Sequence, residues 1–282
     1  MIFDAGLLSS ALTALTPILF AALAGALCQR AGVFNIALEG TMLVGCFAAV
    51  AGSWYTGSAW LGVLAAVVAA TAYSLVLAVG TVTFGGDPIV LGVASNLLAV
   101  GLTSFLIRTV FGTQGSFSDP SLAGLGELFG GQSGLVYLSW LAVPGLAVLL
   151  YRHPWGLRLR GLGERPDSAL ALGVPVARYR YGVILAGGAL CGLGGAQLSL
   201  GSVTLFAENM TAGRGWIAVV AVLLGRAHPL GVLLSALLFG VAEALGFRLQ
   251  GLGLPQQATD AAPYVVTLLA LFLSSARKEK VA

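Results

Sequence analysis

The chain has 282 residues, of which 58% are hydrophobic and only 9% charged, with 40 glycines and a formal net charge of +3. Its mean hydropathy of +0.95 leaves too little polar surface to cover a water-soluble globule of this size. The small positive charge is spread along the chain, not gathered into a basic face, so a nucleic-acid binder is excluded and a polytopic membrane protein is indicated.

Runs of roughly 18 to 24 apolar residues recur from end to end, each long enough at about 1.5 Å per residue to cross a hydrocarbon core of about 30 Å. They are continuous and rich in Leu and Ala, without the period-two alternation of a barrel, so helices are expected. In chain order the segments fall at about 7–28, 34–54, 60–83, 88–111, 134–151, 177–201, 213–226, 229–248 and 262–276. The expected fold is therefore all-α and integral to the membrane, a polytopic bundle of about nine transmembrane segments in a single domain, 1–282.

No positively charged region precedes the first segment, which is expected to remain as a helix. The second carries Asn35, Glu39 and Met42 at spacings of four and three, predicting a shared helix face. Asp87 followed by Pro88 predicts a capped start for the fourth segment, which holds Asn96 and Thr103 seven residues apart, and His228 before Pro229 predicts a start for the eighth. The sixth carries Gly188, Gly192 and Ala196, and the eighth Ala236, Gly240 and Ala244. Such small faces let helices pack closely in lipid. The seventh offers only about eleven residues between Arg214 and Arg226, too few for a straight span, so a broken or re-entrant helix is expected there. Cys28, Cys46 and Cys191 lie within apolar runs without metal-ligand spacing and read as small buried hydrophobes; no metal and no cofactor is expected.

A charged loop, 152–178, separates the fifth and sixth segments. Within it Pro166 can start a short helix and Gly173 stop it, giving one or two amphipathic turns too short to be stable without a partner surface. Cytoplasmic loops collect Lys and Arg, and placing this loop inside puts Arg30, Arg152, Arg158, Arg160, Arg165, Arg178, Arg180, Arg226, Arg277, Lys278 and Lys280 in the cytoplasm, leaving Arg108, Arg214 and Arg248 outside. The N-terminus is then outside and the C-terminus cytoplasmic. "GVFNIALEGTMLVG" and "GRGWIAVVAVLLG" lie five crossings apart, which points to an inverted internal repeat.

The run "GLRLRGLGERPDSALALGVPVARYRYGVILAGGALCGLGGAQLSLG", with "ENMTAGRGWIAVVAVLLGRAHPLGVLLSALLFGVAEAL", "PYVVTLLAL", "GVFNIALEGTMLVG" and "DPIVLGVASNLLAVGLTSFLIR", resembles permease subunits of bacterial ABC importers. The superfamily is that of the branched-chain amino acid and ribose permeases, and the match is closest to its nucleoside or simple-sugar branch. The resemblance implies that the loop helix is a coupling helix seated on a separate ABC ATPase, with Glu164, Arg165, Pro166, Asp167, Ala169, Leu170 and Gly173 carrying that contact and Arg158, Arg160 and Arg178 flanking it. It implies a bacterial cytoplasmic (inner) membrane location and three partners: the ATPase subunit, a second homologous permease and an extracytoplasmic substrate-binding lipoprotein. No GxxxxGK[ST] phosphate loop occurs in the chain, so it is not expected to be an enzyme.

Polar residues within spans face a cavity or a partner helix. Asn35, Glu39, Asn96, Thr103, Asn209, Arg214 and Trp216 are the candidate pathway residues for a neutral polar solute such as a nucleoside: Asn and Thr exchange hydrogen bonds with base or ribose, and Phe34 or Trp216 can stack on a base. Glu208 flanks the broken segment. Gln197 and Glu243 can equally serve a neighbouring backbone, and Glu39 can equally tie two helices together. The alternative solute is a simple sugar of the ribose or galactose type. An ion-coupled secondary transporter using Glu39 or Glu243, or a non-transporting scaffold, is the alternative of a different class; the first gives the framed loop helix no purpose, and the second would be indifferent to substitutions in the polar spans.

Overall fold

The computed structural model describes residues 5–250 and residue 265. The expected ninth segment, 262–276, lies outside the described residues except for residue 265, as do Arg277, Lys278 and Lys280 and the side chain of Arg248. Among the described residues ten α-helices follow one another: α1 (Ala5–Arg30), α2 (Leu38–Thr56), α3 (Ala59–Ala78), α4 (Pro88–Phe111), α5 (Gly134–Tyr151), α6 (Pro154–Glu164), α7 (Pro166–Ala171), α8 (Val176–Ala196), α9 (Arg214–Leu224) and α10 (Pro229–Gln250). Wider π-turns extend α3 over Val79–Thr83 and α8 over Gln197–Ser202. Among the described residues six helices are long and apolar enough to cross a membrane, formed by α1, α3, α4, α5, α8 and α10 with these extensions; α2 and the 11-residue α9 stand outside that set. The protein is a multi-pass, helical membrane protein.

Local chemistry sets several boundaries. The Asp87 side chain accepts from the backbone N–H of Ile89 and Val90, and Pro88 occupies the first turn of α4, where its missing N–H costs nothing. Gly57 and Gly112 end α2 and α4 in the left-handed conformation that glycine adopts without strain. The sequence reading missed α6 altogether. His153 accepts from Trp155 N–H and Pro154 opens the helix, the same pairing of an acceptor with a proline that marks α4.

The hub is α1, buried without break from Leu15 to Cys28. Close approach depends on the expected small residues. A Cβ at Gly192 would lie 2.6 Å from the Ala66 carbonyl of α3, and one at Gly240 would lie 2.8 Å from Leu15 Cβ of α1. Ala236 and Ala244 are buried on the same helix as Gly240. Dispersion over such backbone contacts replaces the hydrophobic drive that lipid does not supply.

At the end of the bundle opposite Arg30, the connection 112–133 folds back over the helices. Its β1 (Ser116–Phe117) pairs antiparallel with β2 (Phe206–Ala207), and Phe117 stacks on Phe111 with ring centroids 3.8 Å apart. Ser53 donates to the Ala123 carbonyl at 2.8 Å, and Leu125 N–H donates to Leu200 O, in the π-turn of α8, at 2.9 Å. Ser121 donates to Asp119 through both its N–H and its hydroxyl, which holds that carboxyl below its ordinary range.

Candidate functional site

The non-helical residues 31–37 turn back from the end of α1 and deliver the chain to α2, so α2 begins inside the bundle. Residues 203–213, which include β2, do the same for α9. Thr204, Asn209 and Ala212 take positive φ there, a conformation that side chains with a Cβ adopt only when the surroundings hold them. The first turns of α2 and α9 meet. A Cβ on Gly215 would lie 2.4 Å from Glu39 Cα, so only glycine permits the approach.

Glu39 occupies the centre of this junction, 7% exposed. Its Oε1 accepts from Gly213 N–H at 2.8 Å and its Oε2 from Gly215 N–H at 2.5 Å, which satisfies two of the orphan donors at the start of α9. The next residue, Arg214, is a cation at a helix N-terminus, an unfavourable place for it. It is offset by an ion pair with Glu243 of α10, and its Nη1 donates to the carbonyls of Met210 and Thr211, both at 3.3 Å. The N-termini of α2 and α9, worth about half a positive charge each, favour the Glu39 carboxyl that lies between them. The carboxylate thus acts as a strut between two half-helices.

The other predicted residues divide by what their polar atoms touch. Asn96 of α4 is fully engaged: its Oδ1 accepts from Gly40 N–H at 2.8 Å and its Nδ2 donates to Ile36 O at 3.0 Å. It clamps the entry to α2. Asn35 does not share a helix face with Glu39 and Met42, because α2 starts only at Leu38; its Oδ1 accepts from Ala37 N–H at 2.9 Å and its Nδ2 faces Cys28 Sγ at 3.7 Å. Thr103 spends its hydroxyl on the Ala99 and Val100 carbonyls of its own helix. Asn209 is exposed, and Trp216 is 42% exposed on α9. Glu208 accepts from Gly115 N–H at 3.3 Å and pins the connection 112–133 to the stretch before α9. Gln197, wholly buried, accepts from Ser133 at 2.5 Å. Four of the seven pathway candidates, Asn35, Glu39, Asn96 and Thr103, are therefore buried and engaged within the protein.

On the charged side, α7 occupies the predicted place. Glu164 ends α6, Arg165 links the helices, and Pro166 opens α7 with Asp167 in its first turn. Gly173 takes φ 77° just past its end. Ala169 is buried, while Leu170 is 63% and Leu172 84% exposed, an apolar tip on a charged platform.

The Arg214–Glu243 pair gives a stability prediction. Glu243→Gln leaves a cation in a largely buried site and is expected to destabilise by about 3 kcal/mol, whereas Arg214→Met combined with Glu243→Leu recovers most of that loss. Thermal unfolding in detergent checks this; a double variant no more stable than Glu243→Gln refutes it.

A family model described as "Branched-chain amino acid transport system / permease component" matches residues 7–272. The guanosine ABC transporter permease protein NupQ of Bacillus subtilis is 34% identical, over 90% of this chain and 87% of its own length. The nucleoside ABC transporter permease protein NupC of Lactococcus lactis is also 34% identical, over 93% and 90%. A protein of Haloferax volcanii named as a glucose ABC transporter permease, TsgC13, is 36% identical over 90% and 80%. Among solved structures, an inward-facing metal-chelate type ABC transporter has a similar fold, with a TM-score of 0.58 over 94% of this chain and 85% of that one, at 18% identity.

Proposed function

Because this chain belongs to the branched-chain amino acid transport system permease family, we propose that it is the membrane-spanning subunit of an ATP-driven importer and forms half of the translocation pathway for a nucleoside. The observation that carries this is the likeness to two permeases named for guanosine and for nucleosides over about nine-tenths of the chain. ATP hydrolysis belongs to a separate ABC ATPase, seated on α7 as coupling helix, and the loop 152–178 is its platform. The exposed Leu170 and Leu172 beside Asp167 give that docking an apolar centre and a charged rim.

A second, related permease completes the pathway. The exposed stripe Ile89, Val93, Leu97 and Phe105 of α4 is the surface it would cover. An extracytoplasmic binding lipoprotein delivers the solute to the face built by 112–133. The orientation, N-terminus out and C-terminus in, is favoured by the gathering of Arg30, Arg160 and the turn holding Arg226 at one end of the bundle. The inverted repeat is favoured by α2 and α9, which start from a common junction and run in opposite directions, α2 toward the cap at Ala123 and α9 toward Arg30. Counting α2, α9 and 262–276 with the six long helices gives the nine segments. Asn209 and Trp216, the exposed candidates, are the residues of this set left to meet solute, Trp216 by stacking on the base.

Vesicles holding this chain with its ATPase and second permease, and supplied with the binding lipoprotein, are expected to accumulate labelled guanosine only with ATP, with competition from other nucleosides and none from glucose. Accumulation of glucose instead replaces the nucleoside with the sugar reading. Accumulation without ATP removes the ABC reading.

A further inference from the structure

Residues 30–39 grip α9 at both ends. At its start Glu39 accepts from Gly213 and Gly215. At its end Arg30 donates from Nε to Ala227 O at 2.9 Å and from Nη2 to Arg226 O at 3.1 Å. An anion at the positive end of the helix and a cation at the negative end are both stabilising, and both come from one short stretch of chain. An isolated helix of 11 residues is marginal, so what holds its ends sets its position. Arg226 and Ala227 both adopt positive φ, 51° and 50°. That turn is strained for residues with a Cβ, and the Arg30 guanidinium fixes its carbonyls in place.

Arg30 is also the seat of α6. A Cβ on Gly163 would lie 2.2 Å from the Arg30 carbonyl oxygen and 3.1 Å from Gly32 N, so the two backbones touch with no room for a side chain. One turn earlier, the Arg160 guanidinium lies 4.6 Å from the centre of the Tyr151 ring. Arg30 approaches the same ring at 5.9 Å, and the His228 ring, from the turn after α9, lies 5.0 Å away. Tyr151 therefore gathers α6, the end of α1 and the turn after α9 around one aromatic surface. From α6 the chain passes through Arg165 directly into α7.

We infer that Arg30 is the positioning residue through which displacement of the α6–α7 platform is passed to α9. The inference rests on the reading of α7 as the seat of an ATPase. A push on α7 shifts α6, and the contact of Gly163 with Arg30 leaves no slack to absorb it. Arg30 and Glu39 then carry α9 by its two ends, and Asn96, bonded to Ile36 O and Gly40 N–H, brings α4 with them. Two helices would thereby respond to one joint.

Distances between paired spin labels in the assembled complex test this. The native Cys28, Cys46 and Cys191 are buried, so introduced surface cysteines can be labelled selectively. Leu61→Cys on α3 serves as reference, paired either with Leu157→Cys on α6 or with Leu223→Cys on α9; all three positions are exposed. In the parent both pairs are expected to change distance on ATP binding. In Arg30→Ala and in Gly163→Ala the α6 pair still responds, while the α9 change falls to less than half; Arg30→Lys, which keeps the cation, restores most of it. Combining Arg30→Ala with Gly163→Ala adds no further loss, because both break the same joint. A full α9 response in either single variant overturns the inference and leaves the ABC reading standing. A parent complex in which neither pair responds to ATP overturns the ABC reading itself, and the joint with it.

Discussion

Glu39→Ala is expected to destabilise the protein by about 3 to 5 kcal/mol and to lower ATP-driven uptake more than tenfold. The substitution removes both acceptors from the N–H groups of Gly213 and Gly215, and the buried Gly215 N–H is left without a partner where the backbones are tightly closed. It also leaves two helix N-termini and Arg214 facing a single remaining carboxylate, Glu243. Glu39→Gln keeps one acceptor oxygen but sets an amide N–H₂ against a donor, so an intermediate loss is expected. Thermal unfolding in detergent, alongside vesicle uptake, separates this from the ion-coupled alternative. A carboxylate that carries a proton or sodium ion would tolerate Glu39→Gln in folding and lose only solute-coupled ion movement. A Glu39→Ala protein as stable as its parent would dismiss the strut.

How far the sequence was legible follows from the kind of partner each residue has. The edges of α4 and α5, Pro88–Phe111 and Gly134–Tyr151, coincide with the apolar runs 88–111 and 134–151, because caps and hydrophobic length are local properties. The short α7 was legible for the same reason, framed by Pro166 and Gly173. The His153–Pro154 start of α6 was equally local and was overlooked only because the segment is too charged to stand out as a span. That Glu39 could tie two helices together was legible, but which helix it ties was not, and neither were the roles of Asn96 and Arg30. Their partners are backbone groups far along the chain, Gly213 N–H, Ile36 O and Ala227 O, and every residue carries such groups. A buried polar side chain announces that a partner exists, and composition favoured a solute; the fold supplies orphaned helix ends instead. Gly215 carried a usable hint, since a glycine inside the first turn of a short helix forfeits stability unless a backbone must pass close by.

The largest functional loss is expected at α7. Replacing residues 166–172 with a flexible Gly/Ser stretch of equal length should abolish ATP-driven uptake and ATPase attachment while leaving the membrane helices folded, because α7 lies outside the buried core and only Ala169 within it is buried. A milder variant isolates the energetics. Leu170 and Leu172 are exposed in the isolated chain, and covering one leucine side chain is worth about 1.5 to 3 kcal/mol. Leu170→Asp with Leu172→Asp should then weaken ATPase binding by about two to four orders of magnitude, since each 1.4 kcal/mol is a factor of about ten. Co-purification of the ATPase reads the binding, and thermal unfolding of the permease alone should hardly move. The Arg30→Ala variant is predicted to show the opposite pattern, with the ATPase attached and α9 unresponsive. The two lesions thus divide docking from transmission. Attachment and uptake that survive the Gly/Ser replacement would mean that the motor grips the permease elsewhere and that α7 has no part in coupling.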